Sequence, residues 1–238
     1  MLVIDRLRDM IASIVVPVHC EGYRFVTIFA GVSLALFVFG FGWLGWIGVV
    51  ATLWCIFFFR DPPRVTPLRE GLVISPADGR ISSIAEVDSP LEAGVEGERR
   101  MRVSIFMNVF DVHINRAPVA GRIANMTYSP GRFVNAAFDK ASEDNERQGV
   151  LIEMAGGVKV AMVQIAGFVA RRIVRFVKRG DKVGAGERIG MIRFGSRVDV
   201  YLPNGHNPLI AVGQRVIAGE TVLADLNSEE AMREARAD

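Results

Sequence analysis

The sequence predicts a mainly β domain preceded by a helical membrane hairpin. Three observations carry that expectation: a long charge-free apolar run near the N-terminus, a following stretch of short β-branched runs punctuated by glycine, and an internal repeat near the C-terminus. Half of the 238 residues are hydrophobic, mean hydropathy is +0.29, and the apolar excess lies in the N-terminal part. The formal charge of +2 is too small to argue for a nucleic-acid partner. The two cysteines, Cys20 and Cys55, lie in or beside the apolar run and offer neither a disulfide framework nor a CxxC metal site. A reducing, cytoplasmic setting fits that usage.

Residues 25–59 contain no charged side chain, a run of 35 positions bounded by Arg24 and by Arg60-Asp61. One crossing takes about 20 apolar residues, so the run is long for one upright helix and short for two complete ones. Gly40, Gly42, Gly45 and Gly48 alternate with Trp43 and Trp46 at its centre, which suits the turn of a hairpin with aromatics at an interface. Arg6, Arg8 and Arg24 precede the run and Arg60, Arg64 and Arg69 follow it. The positive-inside rule therefore expects both flanks in the cytoplasm. A cleaved signal peptide is disfavoured by the length of the run and the lack of a clear small-residue cleavage site. Residues 1–60 are thus expected to form the membrane-anchoring region and 61–238 a separate domain.

After Asp61-Pro62-Pro63 the pattern changes to β. Residues 72–74, 80–87, 101–107, 149–154, 158–165 and 189–194 are strand candidates by β-branched content, length and turn boundaries. Residues 138–148 are polar and are expected to form a surface loop or flap. The segment Gly180-Asp181-Lys182-Val183-Gly184-Ala185-Gly186-Glu187-Arg188-Ile189 recurs 33 residues later as Gly213-Gln214-Arg215-Val216-Ile217-Ala218-Gly219-Glu220-Thr221-Val222. Both copies read as strand, turn, strand. They resemble the hammerhead turns of biotinyl and lipoyl carrier domains, which implies a barrel-sandwich-like domain with hammerhead-type repeats. No lysine sits at a hairpin tip in the carrier context, so the resemblance concerns fold alone.

Between the repeats, Gly195-Ser196 interrupts the strand-like segment Gly190-Met191-Ile192-Arg193-Phe194-Gly195-Ser196-Arg197-Val198-Asp199-Val200. Alone, a Gly-Ser pair is ordinarily a turn or bulge. With four other ordered segments it resembles phosphatidylserine decarboxylases, especially their short bacterial form. Those segments are Ser75-Pro76-Ala77-Asp78-Gly79; Phe106-Met107-Asn108-Val109-Phe110-Asp111-Val112-His113-Ile114-Asn115-Arg116-Ala117-Pro118; Asn145-Glu146-Arg147; and Gln164-Ile165-Ala166-Gly167 with Ala170-Arg171-Arg172. The resemblance spans about residues 60–226.

It implies a membrane-anchored catalytic domain that cleaves itself between Gly195 and Ser196, leaving Ser196 as a pyruvoyl group, with no external cofactor or metal. The partners implied are phosphatidylserine in the membrane and the two cleaved chains as a heterodimer, with higher oligomers open. The catalytic domain would lie on the cytoplasmic side of the cell membrane. Serine is a weak nucleophile and needs a base that a second group orients. His113, inside a family-like segment, is favoured over His19 and over His206 in its turn signature. The longer enzymes carry H-x-x-H in that segment, whereas here Arg116 stands where the second histidine would fall. Asp78 resembles the aspartate that orients the base, or else makes an Asx-type turn before Gly79. Arg116, Arg171 and Arg172 offer guanidinium forks to a lipid phosphate, or make solvated surface salt bridges. Glu146 and Arg147 are expected to pair or support the fold. Two alternatives remain open: a non-enzymatic membrane-tethered adaptor, and a decarboxylase of a related serine phospholipid.

Overall fold

The computed structural model describes residues 16–131, 145–167, 172–193, 196–233 and 235–236. The chain divides into two compact units, one ending at Pro63 and the other starting at Arg64.

In the first unit, two apolar helices, α1 (Cys20–Val38) and α2 (Gly42–Phe58), form a hairpin. His19 caps α1, its ring accepting from the Glu21 N–H. The turn is shorter than the glycine spacing suggests. Gly40 alone makes it, at φ 82°, while Gly42, Gly45 and Gly48 lie inside α2. The latter two serve close packing: a Cβ on Gly45 would fall 2.8 Å from the Phe37 ring, and one on Gly48 would fall 2.7 Å from the Ser33 Cβ. Ser33 Oγ also donates to the Gly45 carbonyl at 2.7 Å. The open ends meet, with His19 N–H donating to Phe59 O (2.8 Å) and Asp61 N–H to Pro17 O (2.7 Å). Entry and exit of the hairpin are therefore on one side. Trp43, Trp46 and Phe39 are exposed, and α1 is long and apolar enough to cross a membrane.

Among the described residues the second unit is all β apart from single 3-10 turns. Its strands are β1 (Leu72–Ile74), β2 (Gly79–Asp88), β3 (Arg99–Met107), β4 (Ile114–Arg116), β5 (Gly121–Ser129), β6 (Arg147–Glu153), β7 (Lys159–Ala166), β8 (Ile173–Arg175), β9 (Lys182–Val183), β10 (Arg188–Ile192), β11 (Ser196–Tyr201), β12 (Arg215–Val216) and β13 (Val222–Asp225). An eight-stranded curled sheet runs β12-β2-β3-β11-β7-β6-β5-β9, and the smaller β4-β10-β8 and β1-β13 sheets complete the sandwich. The six sequence-level strands are all present, and the polar segment is corrected at its end: Arg147 and Gln148 already belong to β6, with Gln148 fully buried opposite Gln164. Residues 138–144 of that segment lie outside the described residues.

The repeats behave as hammerheads. In each copy the strand before the turn and the strand after it join different sheets: β9 pairs with β5 while β10 pairs with β4 and β8, and β12 pairs with β2 while β13 pairs with β1. Gly186 and Gly219 take positive φ at the equivalent turn positions. Strand alternation sends Val198 and Val200 of β11, with Met107, Val160 and Met162, into the main core. Val163, Ile165 and Tyr201 face a second, smaller core on the other side of the sheet.

Candidate active site

Ser196 opens β11 between two neighbours, paired with Met107 on β3 and Ala166 on β7. Its alternation with Val198 turns it to the main-core face, where it is wholly inaccessible to solvent. Its hydroxyl lies 3.2 Å from Met107 Sδ. A thioether is a weak acceptor, so this contact leaves the hydroxyl easily redirected. The same sulfur is 3.7 Å from Asn115 Nδ2, and Asn115 Oδ1 accepts from Gln164 Nε2 at 2.7 Å. Gly190 makes room for this amide pair, since a Cβ there would lie 3.1 Å from Gln164 Nε2. Serine, methionine, asparagine and glutamine thus form a buried, uncharged group on four different strands. Gly195 lies outside the described residues.

His113 is also fully buried, immediately before β4, and its carbonyl accepts from Ile192 N–H at 3.2 Å. Its Nδ1 is 2.9 Å from the Asp111 carbonyl. A carbonyl only accepts, so Nδ1 carries the hydrogen; in a neutral ring with that hydrogen the lone pair is at Nε2, the tautomer required of a general base. Asp111 is fixed in turn by Arg215 Nη2 at 2.6 Å and by the Asn108 N–H at 2.9 Å.

Asp78 directs its carboxylate elsewhere. Oδ2 and Oδ1 accept from Arg64 Nη2 at 2.8 and 3.1 Å, and Oδ1 accepts from Ala218 N–H at 2.8 Å. Burial pushes its pKa above the ordinary carboxylate range and the nearby Asp111 charge adds to that, against the Ala218 N–H and Arg64, which act the other way. The aspartate therefore ties the second hammerhead turn to the start of the β unit, while the group holding His113 Nδ1 is the Asp111 main chain.

The arginines separate as well. Arg116 is buried, donating from Nη1 to the Gly186 carbonyl at 2.9 Å, and a Cβ on Gly219 would fall 2.9 Å from its Cδ. It braces both hammerhead turns. Arg171 lies outside the described residues. Arg172 is exposed at the rim of a cavity of about 390 Å³ lined by Tyr128, Pro130, Gly131, Glu146, Ile173 and Arg175. Glu146 and Arg147 are paired, each with another residue: Glu146 Oε1 accepts from Tyr128 OH and Ile173 N–H, both at 3.2 Å, and Arg147 meets Glu92 at 2.9 Å. Burial, followed by the Glu146 charge, raises the Tyr128 pKa. Met107, Asn115, Gln164 and Asp111 carried no charge pattern or nucleophile signal that sequence reasoning could single out. They sit within or beside motif segments and acquire meaning only from strand register.

A family model described as phosphatidylserine decarboxylase matches residues 51–224. The chain is 56% identical over 227 residues to a phosphatidylserine decarboxylase proenzyme of Cereibacter sphaeroides (strain ATCC 17025 / ATH 2.4.3), covering 94% of this chain and 97% of that protein. It is 58% identical over 210 residues to a phosphatidylserine decarboxylase proenzyme of Ruegeria pomeroyi (strain ATCC 700808 / DSM 15171 / DSS-3), covering 88% and 95%. A match over most of the β unit, at identities above one half and nearly full length, leaves one assignment: the chain belongs to the phosphatidylserine decarboxylase family.

Proposed function

We propose that the chain matures by autocatalytic cleavage at Gly195-Ser196 and then decarboxylates phosphatidylserine to phosphatidylethanolamine at the cytoplasmic face of the cell membrane. The observation that carries this reading is the environment of Ser196: a buried hydroxyl on a weak acceptor, at the start of a strand, among neutral amides. In the cleavage step the hydroxyl oxygen attacks the Gly195 carbonyl carbon and its proton passes to a base, for which His113 is our candidate. The Gly195–Ser196 C–N bond breaks as the residue 196 nitrogen takes a proton, leaving an ester. Removal of the residue 196 Cα proton then breaks the Cβ–O bond and frees a chain of 195 residues ending in the Gly195 carboxylate. Water addition and loss of ammonia at residue 196 leave a pyruvoyl terminus on the remaining 43 residues (238 − 195).

The surroundings fit such a group. A pyruvoyl residue is about the size of the serine it replaces: its methyl, the former Cβ, would lie on the side of the Met107 sulfur, and its keto oxygen would stand where the residue 196 nitrogen had been. When formed, the group supplies a carbonyl that takes up the substrate amine and accepts the electron pair left as CO2 departs. The chain's own residues do the rest. Ala166 and Met107 exclude water from residue 196, the Asn115–Gln164 pair fixes the polar side of the pocket, and His113 handles protons through Nε2. Arg171 and Arg172 are the proposed cations for the lipid phosphate, while Arg116 spans the two turns. The paired ends of the hairpin and the arginines on both flanks support an anchor that enters and leaves on the cytoplasmic side.

Intact mass spectrometry of the purified protein tests the reading. Two chains of 195 and 43 residues, the shorter with a blocked, carbonyl-bearing N-terminus, are expected, and the Ser196→Ala variant should stay whole. An active preparation containing only the uncleaved chain would overturn it.

A further inference from the structure

Three adjacent strands set residue 196 in line with the arginine-rimmed cavity. Ser196 pairs with Ala166, and Ala166 N–H donates to the Glu146 carbonyl at 3.0 Å. Glu146, immediately before β6, Ala166 on β7 and Ser196 on β11 therefore form one row, with Glu146 in the cavity wall. Two strand spacings separate the ends of the row, about 10 Å. The middle position is alanine, so along this row the large sheet itself contributes only a methyl group to the core face between the serine and the cavity wall.

The cavity rim carries the opposite of a neutral surface. Arg172 and Arg175 flank it from the two ends of β8, both exposed. Among the described residues neither guanidinium has a hydrogen-bond or ion-pair partner. Their segment is held from below: Glu146 accepts from Ile173 N–H, between the arginines, and from Tyr128 OH, while β8 is paired to β10 through Ile173, Val174 and Arg175. Among the described residues the one carboxylate in the lining, Glu146, is thus engaged in positioning the backbone that bears the two cations. Two guanidinium groups on a fixed backbone beside a cavity, without partners among the described residues, make a site for a singly charged phosphodiester.

We infer that the substrate phosphodiester seats between Arg172 and Arg175 and that its amine reaches residue 196 over Ala166. This rests on the decarboxylase reading above and adds Arg175 as a substrate-positioning residue, with Glu146 and Tyr128 supporting the segment. In a serine headgroup the amine and the phosphate are separated by two carbons and one oxygen, short enough that a flexible arginine must close part of the distance along the row. Both arginines have the length and freedom to do so.

The test uses full-length protein carrying Arg172→Gln, Arg175→Gln or both. Processing, read by intact mass, should match the unsubstituted protein, because neither side chain touches the Ser196 group. KM for phosphatidylserine in neutral detergent micelles should rise about tenfold for each substitution, the loss of a charged hydrogen bond, with kcat changing much less, and Arg175→Lys should recover part of the loss. In a Ser196→Ala background, titration with soluble short-chain phosphatidylserine should show the same weakening, independently of any decarboxylation. Sedimentation with phosphatidylglycerol vesicles should be unaltered. Unchanged KM and titration would overturn the inference, as would a loss of vesicle binding equal to the rise in KM, which would make the pair a general membrane attraction. If the unsubstituted protein neither cleaves nor releases CO2, the functional reading falls, while the Ser196→Ala titration still decides the arginine pair.

Discussion

Ser196 Oγ lies 3.2 Å from Met107 Sδ, across a register in which the two residues face each other on neighbouring strands. The sulfur fills space beside the hydroxyl without a strong hold on it, so Met107→Leu should keep both fold and chemistry. Buried Leu–Met exchanges cost less than about 1.5 kcal/mol. Chain cleavage followed during cell-free synthesis should proceed within about tenfold of the normal rate, since no general base is removed. Arrested cleavage in a folded Met107→Leu protein would assign the sulfur a chemical task.

The Asn115–Gln164 bond is the strongest polar contact in that group, and its partners are wholly buried. Asn115→Leu leaves the Gln164 amide without its acceptor and should lower unfolding free energy by about 1–3 kcal/mol. Adding Gln164→Leu should recover part of that loss, because no polar group is then stranded. Urea midpoints in the Ser196→Ala background measure both without interference from processing, and simple additivity of the two substitutions would mean the amides are not coupled.

Arg116 stands between the two hammerhead turns, bonded to the Gly186 carbonyl and packed against Gly219. Arg116→Lys keeps the charge and loses the guanidinium fork, so thermal stability should fall by the equivalent of about 1–3 kcal/mol. An unchanged KM alongside that loss would mark Arg116 as a brace, and a raised KM would show that the guanidinium also reaches the lipid phosphate.

This division among the arginines shows where sequence reasoning stops. The hairpin was legible because 35 consecutive uncharged residues have few other uses, and the hammerheads because their glycines recur where the backbone takes positive φ. β5 was not read as a strand: Arg122, Asn125, Thr127 and Ser129 interrupt its apolar residues, and pairing with both β6 and β9 compensates for that weak pattern. Gly45 and Gly48 looked like turn residues because sequence shows that glycine is small but not what approaches it. The same limit hid Asn115 and Gln164, separated by 49 residues and joined only by the fold. Arg116 and Arg172 are chemically identical in the sequence, and burial alone divides brace from cavity rim.

Asp78 should give the protein a specific pH response. Its folded pKa is raised, mainly by burial, so as pH climbs through the ordinary carboxylate range the unfolded chain loses this proton first. The folded state binds more protons in that window, and stability falls with rising pH until the raised folded pKa is passed, then levels off. Asp78→Asn, which does not titrate, should remove this component, the contact of the ionised carboxylate with Arg64 being already part of the net shift. The stability of the unsubstituted protein minus that of the variant, followed by urea midpoints from about pH 4 upward, should therefore fall as pH rises. A difference that stays constant, or that grows with pH, would contradict the raised pKa.

His113 is the side chain whose replacement separates the two chemical stages most clearly. Its ring is buried and its Nδ1 hydrogen is directed to the Asp111 carbonyl, so that in the neutral ring the base is Nε2. If Nε2 takes the Ser196 proton, His113→Ala should accumulate the uncleaved chain, with cleavage slowed by about 10²- to 10⁴-fold, the usual value of a general base. If the imidazole serves only decarboxylation, the variant should cleave at the normal rate yet release CO2 slowly, for want of a nearby proton donor. Asp78→Ala supplies the control. Its carboxylate bonds Arg64 and Ala218, so a structural role predicts lower stability with processing intact, whereas a role in orienting the base predicts the same uncleaved chain as His113→Ala. We expect slow cleavage in His113→Ala and lowered stability in Asp78→Ala, read together by intact mass and thermal unfolding. Normal processing and full CO2 release in the His113 variant would remove the histidine from both stages and direct the search for the base to other side chains.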